Sequence, residues 1–106
     1  MAAIYACVAD LMLASRVAES LKAAGHDVTV GARLPDAEAA GSIDLIVCDL
    51  EGADPAELAA LVPPSLGFYS HVDVDTRRRA LEAGVDLVVP RSRMARELPA
   101  LVEGLV

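Results

Sequence analysis

The stretch Ile43-Asp44-Leu45-Ile46-Val47-Cys48-Asp49-Leu50-Glu51-Gly52 constrains the chain more than any other. It is a short apolar run that ends abruptly in a carboxylate, with an acid and a glycine following. A continuous run of branched apolar residues of this length reads as a strand buried on both faces, as inside a parallel sheet. Asp49 then stands at the carboxyl end of that strand, the edge where open α/β sheets gather their ligand chemistry.

The remainder of the chain supplies what such a strand needs. At 106 residues, the sequence is read as one domain spanning residues 1–106. Hydrophobic residues make up 55% of it and aromatics only 3%, so the core must be built from Ala, Val and Leu, which suits helices packed on a sheet. A formal net charge of −7 argues against binding to nucleic acid or to an anionic membrane surface. The charge is uneven: residues 1–70 carry three basic and ten acidic side chains, residues 71–106 six of each. Cys7 and Cys48 both fall in apolar strand-like runs and read as small buried hydrophobes, with no histidine at zinc-ligand spacing. There is no basic segment before the N-terminal apolar stretch and no apolar run near the ~20 residues of a membrane span, so a cytoplasmic location is expected.

Taken in order, Ile4 to Val8 reads as a first strand, and Leu13, Val17, Leu21 and Ala24 recur at helical spacing up to Gly25. Val28 to Val30 gives a second strand, and Pro35 to Ala40 a brief helix with proline in its first turn. Asp44 to Asp49 comes third, and Asp54-Pro55 then caps a helix through about Val62, ended by Pro63-Pro64. Leu66 to Ser70 is a fourth strand, Asp73 or Asp75 caps a helix from Thr76 to Ala83, and Asp86 to Val89 is a fifth strand. A last helix carries Leu98, Leu101, Val102 and Leu105, with its main body expected near Glu97 because Pro99 should not sit deep inside. Strand and helix thus alternate five times, which implies a parallel sheet covered on both faces with right-handed crossovers. Asp10, Asp49 and Ser70 fall at the carboxyl ends of strands one, three and four.

The order, the phrase Asp44-Leu45-Ile46-Val47-Cys48-Asp49-Leu50 and the junction Arg79-Ala80-Leu81-Glu82-Ala83-Gly84-Val85-Asp86 resemble a response-regulator receiver domain over nearly the whole chain. The resemblance implies a flavodoxin-like three-layer α/β sandwich and membership of the two-component phosphorelay type, close to the chemotaxis regulators. It assigns Asp49 as phosphoacceptor and Ser70 as the hydroxyl that senses the phosphoryl group. It implies a Mg²⁺ site on Asp10, Asp49 and the carbonyl of Glu51, since in-line phosphoryl transfer needs its developing charge neutralised.

Four departures mark an atypical or degenerate member. Ala9 stands where an acid is usual, which weakens the magnesium site without abolishing it. The family lysine after the fifth strand is absent; Val89 or Arg91 takes its place depending on how the alignment runs around Pro90, and an arginine fork is not a compact ammonium. Leu87 or Val88 replaces the switch aromatic, and Glu51-Gly52-Ala53-Asp54-Pro55 lacks the usual Met-Pro phrase. His71 and His26 read as loop and turn residues.

Arg77, Arg78 and Arg79 cannot all face a core, and with Arg91, Arg93 and Arg96 they fall in the region that partners of the family read. An acidic partner surface is therefore expected, with salt-sensitive binding. The sequence reading is a stand-alone, non-enzymatic signalling module served by a sensor kinase or other signalling protein; nothing in it sets an oligomeric state. Two rival readings accompany it: a pseudo-receiver that acts as an interaction adaptor without phosphorylation, and a small flavodoxin-like ligand-binding domain or enzyme. The last is disfavoured by the lack of a glycine-rich dinucleotide or Walker-type loop.

Overall fold

A computed structural model describes residues 1–70 and 73–106. Five parallel strands form one sheet: β1 (Ala3–Cys7), β2 (Asp27–Gly31), β3 (Leu45–Asp49), β4 (Ser65–Tyr69) and β5 (Leu87–Pro90), in the order β2-β1-β3-β4-β5. The helices between and after them are α1 (Leu11–Ala23), α2 (Ala37–Ala40), α3 (Pro55–Ala59), α4 (Val74–Ala83) and α5 (Arg91–Glu103). The expected α/β three-layer architecture is therefore the one observed. Among the described residues no helix is long and apolar enough to cross a membrane.

Alternation along the strands sorts the core into two layers. One face carries Ile4, Ala6, Val8, Leu45, Val47, Leu66, Phe68 and Val89 against Leu13, Val17 and Leu21 of α1 and Met94, Leu98 and Val102 of α5. The other carries Cys7, Ile46, Cys48 and Tyr69 against Leu58 of α3 and Ala80 of α4. Leu45, Ile46, Val47 and Cys48 have no exposed surface, which accounts for the unbroken apolar run: consecutive side chains enter opposite layers and both are dry.

Acids just before two strands tie the opposite, amino edge together. Asp44 accepts the Ala3 N–H at 2.8 Å, and Asp86 accepts the Ser65 N–H at 2.9 Å. His26, expected only to turn the chain, is buried, and its Nδ1 accepts the Ala2 N–H at 3.1 Å. The reading of His71 lies outside the described residues.

Each strand shifts by a residue at one or both ends, leaving Ser70 just beyond β4, and four helices also differ from the sequence reading. α5 begins at Arg91, not near Glu97, with extended Pro90 in the cap position and Pro99 inside the helix. The proline removes one hydrogen-bond donor, but Met94, Leu98 and Val102 recur every four residues, and burial of that stripe holds the helix across it. α3 stops at Ala59 and does not reach Val62, which is exposed and, preceding Pro63, is disfavoured in the helical region. Asp36 rather than Pro35 opens α2, its carboxylate accepting the Ala39 N–H at 2.8 Å. α4 starts at Val74 with Asp73, not Asp75, as its cap.

Candidate functional site

The carboxyl ends of β1 and β3 lie side by side, since Cys7 pairs with Cys48. Each strand is followed at once by an acid-bearing turn, and together they frame a cavity of about 240 Å³ lined by Cys7, Ala9, Asp10, Ala32, Asp49, Glu51 and Gly52. The cavity thus gathers Asp10 with Asp49 and Glu51, from two turns far apart in sequence.

The local geometry fixes both carboxylates. Asp10 caps α1: its Oδ1 accepts the N–H groups of Met12 at 3.0 Å and Leu13 at 3.1 Å, satisfying donors that a helix start leaves free. Asp49 is half-buried, and its Oδ1 accepts the Glu51 N–H at 3.0 Å. Its carbonyl accepts the Gly52 N–H at 3.2 Å, so the turn folds back over the end of the strand. Among the described residues the Oδ2 atom of either acid accepts no hydrogen bond. Each carboxylate is therefore oriented by one oxygen and has the other to offer.

Leu50 anchors this turn. Its N–H donates to the Phe68 carbonyl at 3.0 Å, and its side chain lies on Gly67 so closely that a β-carbon there would come within 2.8 Å of it. Only glycine on β4 lets Leu50 seat in this way, and that seating sets the direction of its neighbour Asp49.

Beneath the cavity the thiols of Cys7 and Cys48 meet on one face of the sheet. The Cys48 thiol donates to the Asp49 carbonyl at 3.6 Å. Its contact with the Cys7 thiol and then burial push Cys48 far above its ordinary value. The same contact lowers Cys7, against burial and the Asp49 carboxylate.

The other site residues stand elsewhere. Ser70 follows β4 on the same sheet edge, two residues beyond Phe68, the partner of Asp49; its carbonyl accepts the Asp73 N–H at 2.9 Å. Val89 is wholly buried in the core layer of α1 and α5. Arg91 lines a separate groove of about 280 Å³ between α1 and α5, together with Arg16, Leu13, Val17, Met94 and Leu98. Among the described residues, no basic one lines the Asp49 cavity. Arg77, Arg78 and Arg79 are all exposed on α4, with Arg78 paired to Asp75 at 3.0 Å. Arg93 and Arg96 both approach Glu97 on α5, at 3.4 and 3.9 Å.

Sequence reasoning missed Cys7, Ala32 and Gly52 as walls of the cavity, because their contribution depends on strand neighbours remote in sequence. It also passed over Arg33, which borders an adjoining cavity with Asp54 and Glu57; Gly52 is common to both cavities. Among the described residues no cluster of three or more His, Cys, Asp or Glu side chains is arranged to hold a metal. With alanine at position 9, the hard donors the cavity offers are two aspartates, the Glu51 side chain and backbone oxygen. Such a set fits a divalent cation held largely by water, as magnesium accepts, better than a closed protein cage.

No protein-family model matches this chain, and no curated protein is detectably similar to it. Its fold is that of response-regulator receiver domains. A receiver-domain protein from Clostridium thermocellum superposes with a TM-score of 0.84 at 15% identity, over 99% of this chain and 94% of that one. A response regulator from Chloroflexus aurantiacus gives 0.79 at 18% identity, over 98% and 96%. One from Burkholderia pseudomallei, solved with a phosphorylated aspartic acid, a calcium ion and citrate, gives 0.76 at 17% identity, over 100% and 67%.

Proposed function

We propose that the chain is a receiver-type signalling module in which Asp49 accepts a phosphoryl group, from the phosphohistidine of a sensor kinase or from a small phosphodonor, and a protein partner reads the result. The observation that carries this reading is the convergence of Asp10 and Asp49 on one cavity, each with one oxygen tied to backbone N–H and the other unengaged. The neighbouring protein solved with a phosphorylated aspartate and a calcium ion shares the fold, which supports the assignment.

In this reading the Glu51 N–H holds Oδ1 of Asp49, so Oδ2 is the oxygen that attacks phosphorus in line. Asp10, Asp49 and the Glu51 carbonyl are the groups that would hold Mg²⁺, which when bound supplies the positive charge that the phosphoryl oxygens need. Ser70, on the same edge, offers its hydroxyl to the transferred group. Because Val89 is buried and Arg91 lines another groove, the lysine's role is left without a replacement on this side, and transfer is slow and strongly cation-dependent. On α4, Arg77 and Arg79 are exposed and form no ion pair among the described residues, so they suit an acidic partner face.

That no basic residue among those described lines the cavity favours one second reading, the pseudo-receiver adaptor, in which partner binding is independent of Asp49. Titration with Mg²⁺ and then beryllofluoride, followed by amide NMR, separates the two. The phosphoacceptor reading expects shifts at residues 9–10, 49–52 and 70 that Asp49→Asn abolishes. Amide spectra unmoved by both additions would leave only the adaptor.

A further inference from the structure

On the face covered by α3 and α4, one level of the sheet carries only glycine and cysteine on four of its five strands, with Val88 following on β5. Gly31, Cys7, Cys48 and Gly67 are successive partners across β2, β1, β3 and β4. Large neighbours wall the row at both ends: a β-carbon on Gly31 would strike the Tyr5 hydroxyl, and one on Gly67 would strike Leu50. The Tyr5 hydroxyl is itself fixed by donating to the Arg33 carbonyl at 2.7 Å. Two thiols are thus confined side by side in the middle of the row, on residues in direct register. Cys48 is wholly buried, whereas Cys7 is 3% exposed and lines the cavity that opens beside Asp49. An apolar core has no need of this pairing, and the function proposed above does not use it.

The spacing suits a covalent link. Paired strands lie about 4.8 Å apart, inside the Cα window of roughly 4.4 to 6.8 Å that a disulfide spans. Side-by-side Cβ vectors on parallel strands keep the β-carbons near the strand spacing, at or beyond the wide end of the usual ~3.5 to 4.5 Å. The bond is therefore reachable by a small local shift, and it is strained, which places it with disulfides that reduce readily.

We propose that Cys7 and Cys48 form a reversible cross-strand disulfide, with Cys7 as the thiol that meets a hydroperoxide entering through the cavity beside Asp49. The Cys7 sulfur attacks one peroxide oxygen and the O–O bond breaks. The departing oxygen takes the thiol proton and leaves as water, or as an alcohol from an organic peroxide, and Cys7 becomes a sulfenic acid. The Cys48 sulfur then attacks the Cys7 sulfur. The S–O bond breaks, and hydroxide leaves as water with the Cys48 proton. Two thiols have lost two electrons in total, and the peroxide has gained them. The product lacks the donor that Cys48 gives to the Asp49 carbonyl, so oxidation acts on the backbone of the acidic turn itself.

The test uses the full chain, folded, at low concentration. It is exposed to hydrogen peroxide, quenched with catalase, then unfolded in an alkylating agent and analysed by intact mass and peptide mapping. The expected result is joint loss of both thiols, a Cys7–Cys48 linked peptide, and full recovery with dithiothreitol. In Cys48→Ser, which cannot close the bond, a dimedone-reactive sulfenic acid accumulates on Cys7. Wild-type protein that still alkylates at both cysteines overturns the proposal, as does thiol loss through intermolecular dimers or higher oxides without the linked peptide. The wild-type result stands even where a serine variant folds poorly.

Discussion

Replacing Gly67 by alanine probes the contact that aims Asp49. The added β-carbon would lie 2.8 to 2.9 Å from three side-chain carbons of Leu50. Ordinary carbon contacts are about 3.5 to 4.0 Å, so Leu50 must retreat by more than roughly half an ångström. It sits in a core where it is only 4% exposed, and overpacking of this kind costs about 1 to 3 kcal/mol. Against that, loss of glycine's freedom in the unfolded chain returns about 0.4 to 1 kcal/mol where the backbone conformation is compatible. Gly67 has no positive φ, so the gain applies, and the net loss is centred on about 1.3 kcal/mol, within about 0 to 2.6. For a domain of this size that lowers Tm by several degrees, at about 4 to 8 °C per kcal/mol. Leu50→Ala removes the obstruction, and in that background Gly67→Ala should stabilise by about 0.4 to 1 kcal/mol. Urea unfolding of the four proteins, with unchanged m, reads the cycle. An equal loss in both backgrounds would refute the reasoning, because the penalty would then not come from Leu50.

Three other outcomes follow from named contacts. Asp73 is held below the usual carboxylate range by the Thr76 hydroxyl and then the Thr76 N–H, with help from Arg79. A depressed folded pKa stabilises above the unfolded value and ceases to do so as pH falls through the folded one, so Asp73→Asn should lose stability at neutral pH. Its gap from wild type should close below about pH 4 in acid-titrated thermal melts, and a constant gap would contradict this. His26→Leu strands the buried Ala2 N–H and should cost about 1 to 3 kcal/mol, whereas Glu103→Ala should stay within about 0.5 kcal/mol because Glu103 is largely exposed. Chemical denaturation distinguishes the two, and equal effects would show that the imidazole acts through Glu103, whose Oε1 lies 3.7 Å from its Nε2. Joint Arg77→Ala and Arg79→Ala should weaken capture of an acidic partner and flatten its salt dependence; binding and salt slope that match the wild type would exclude α4 as the contact face.

Much of the fold was written in local patterns. The unbroken run Leu45–Cys48 announced a strand dry on both sides, and the acids at positions 10 and 49 announced one edge. Position 99 misled, because the local penalty of a proline is outweighed by an apolar stripe whose value depends on the sheet beneath it. The meeting of Cys7 with Cys48 depends on β1 and β3 being neighbours, which no local pattern states. The direction of Arg91 was hidden for the same reason: continuation of β5 straight into α5 turns it toward the groove beside Arg16. α2 was legible as a brief helix and runs only between its Asp36 cap and Gly41, while α3 was read three residues too long.

The most direct measurement on the central claim is intact mass and peptide mapping after incubation with acetyl phosphate and Mg²⁺. A single phosphoryl adduct on Asp49, lost in Asp49→Asn and diminished in Asp10→Asn or on chelation of the cation, is the predicted result. No adduct under saturating donor, or one that persists in Asp49→Asn, would contradict the assignment of Asp49 as the group that carries the signal.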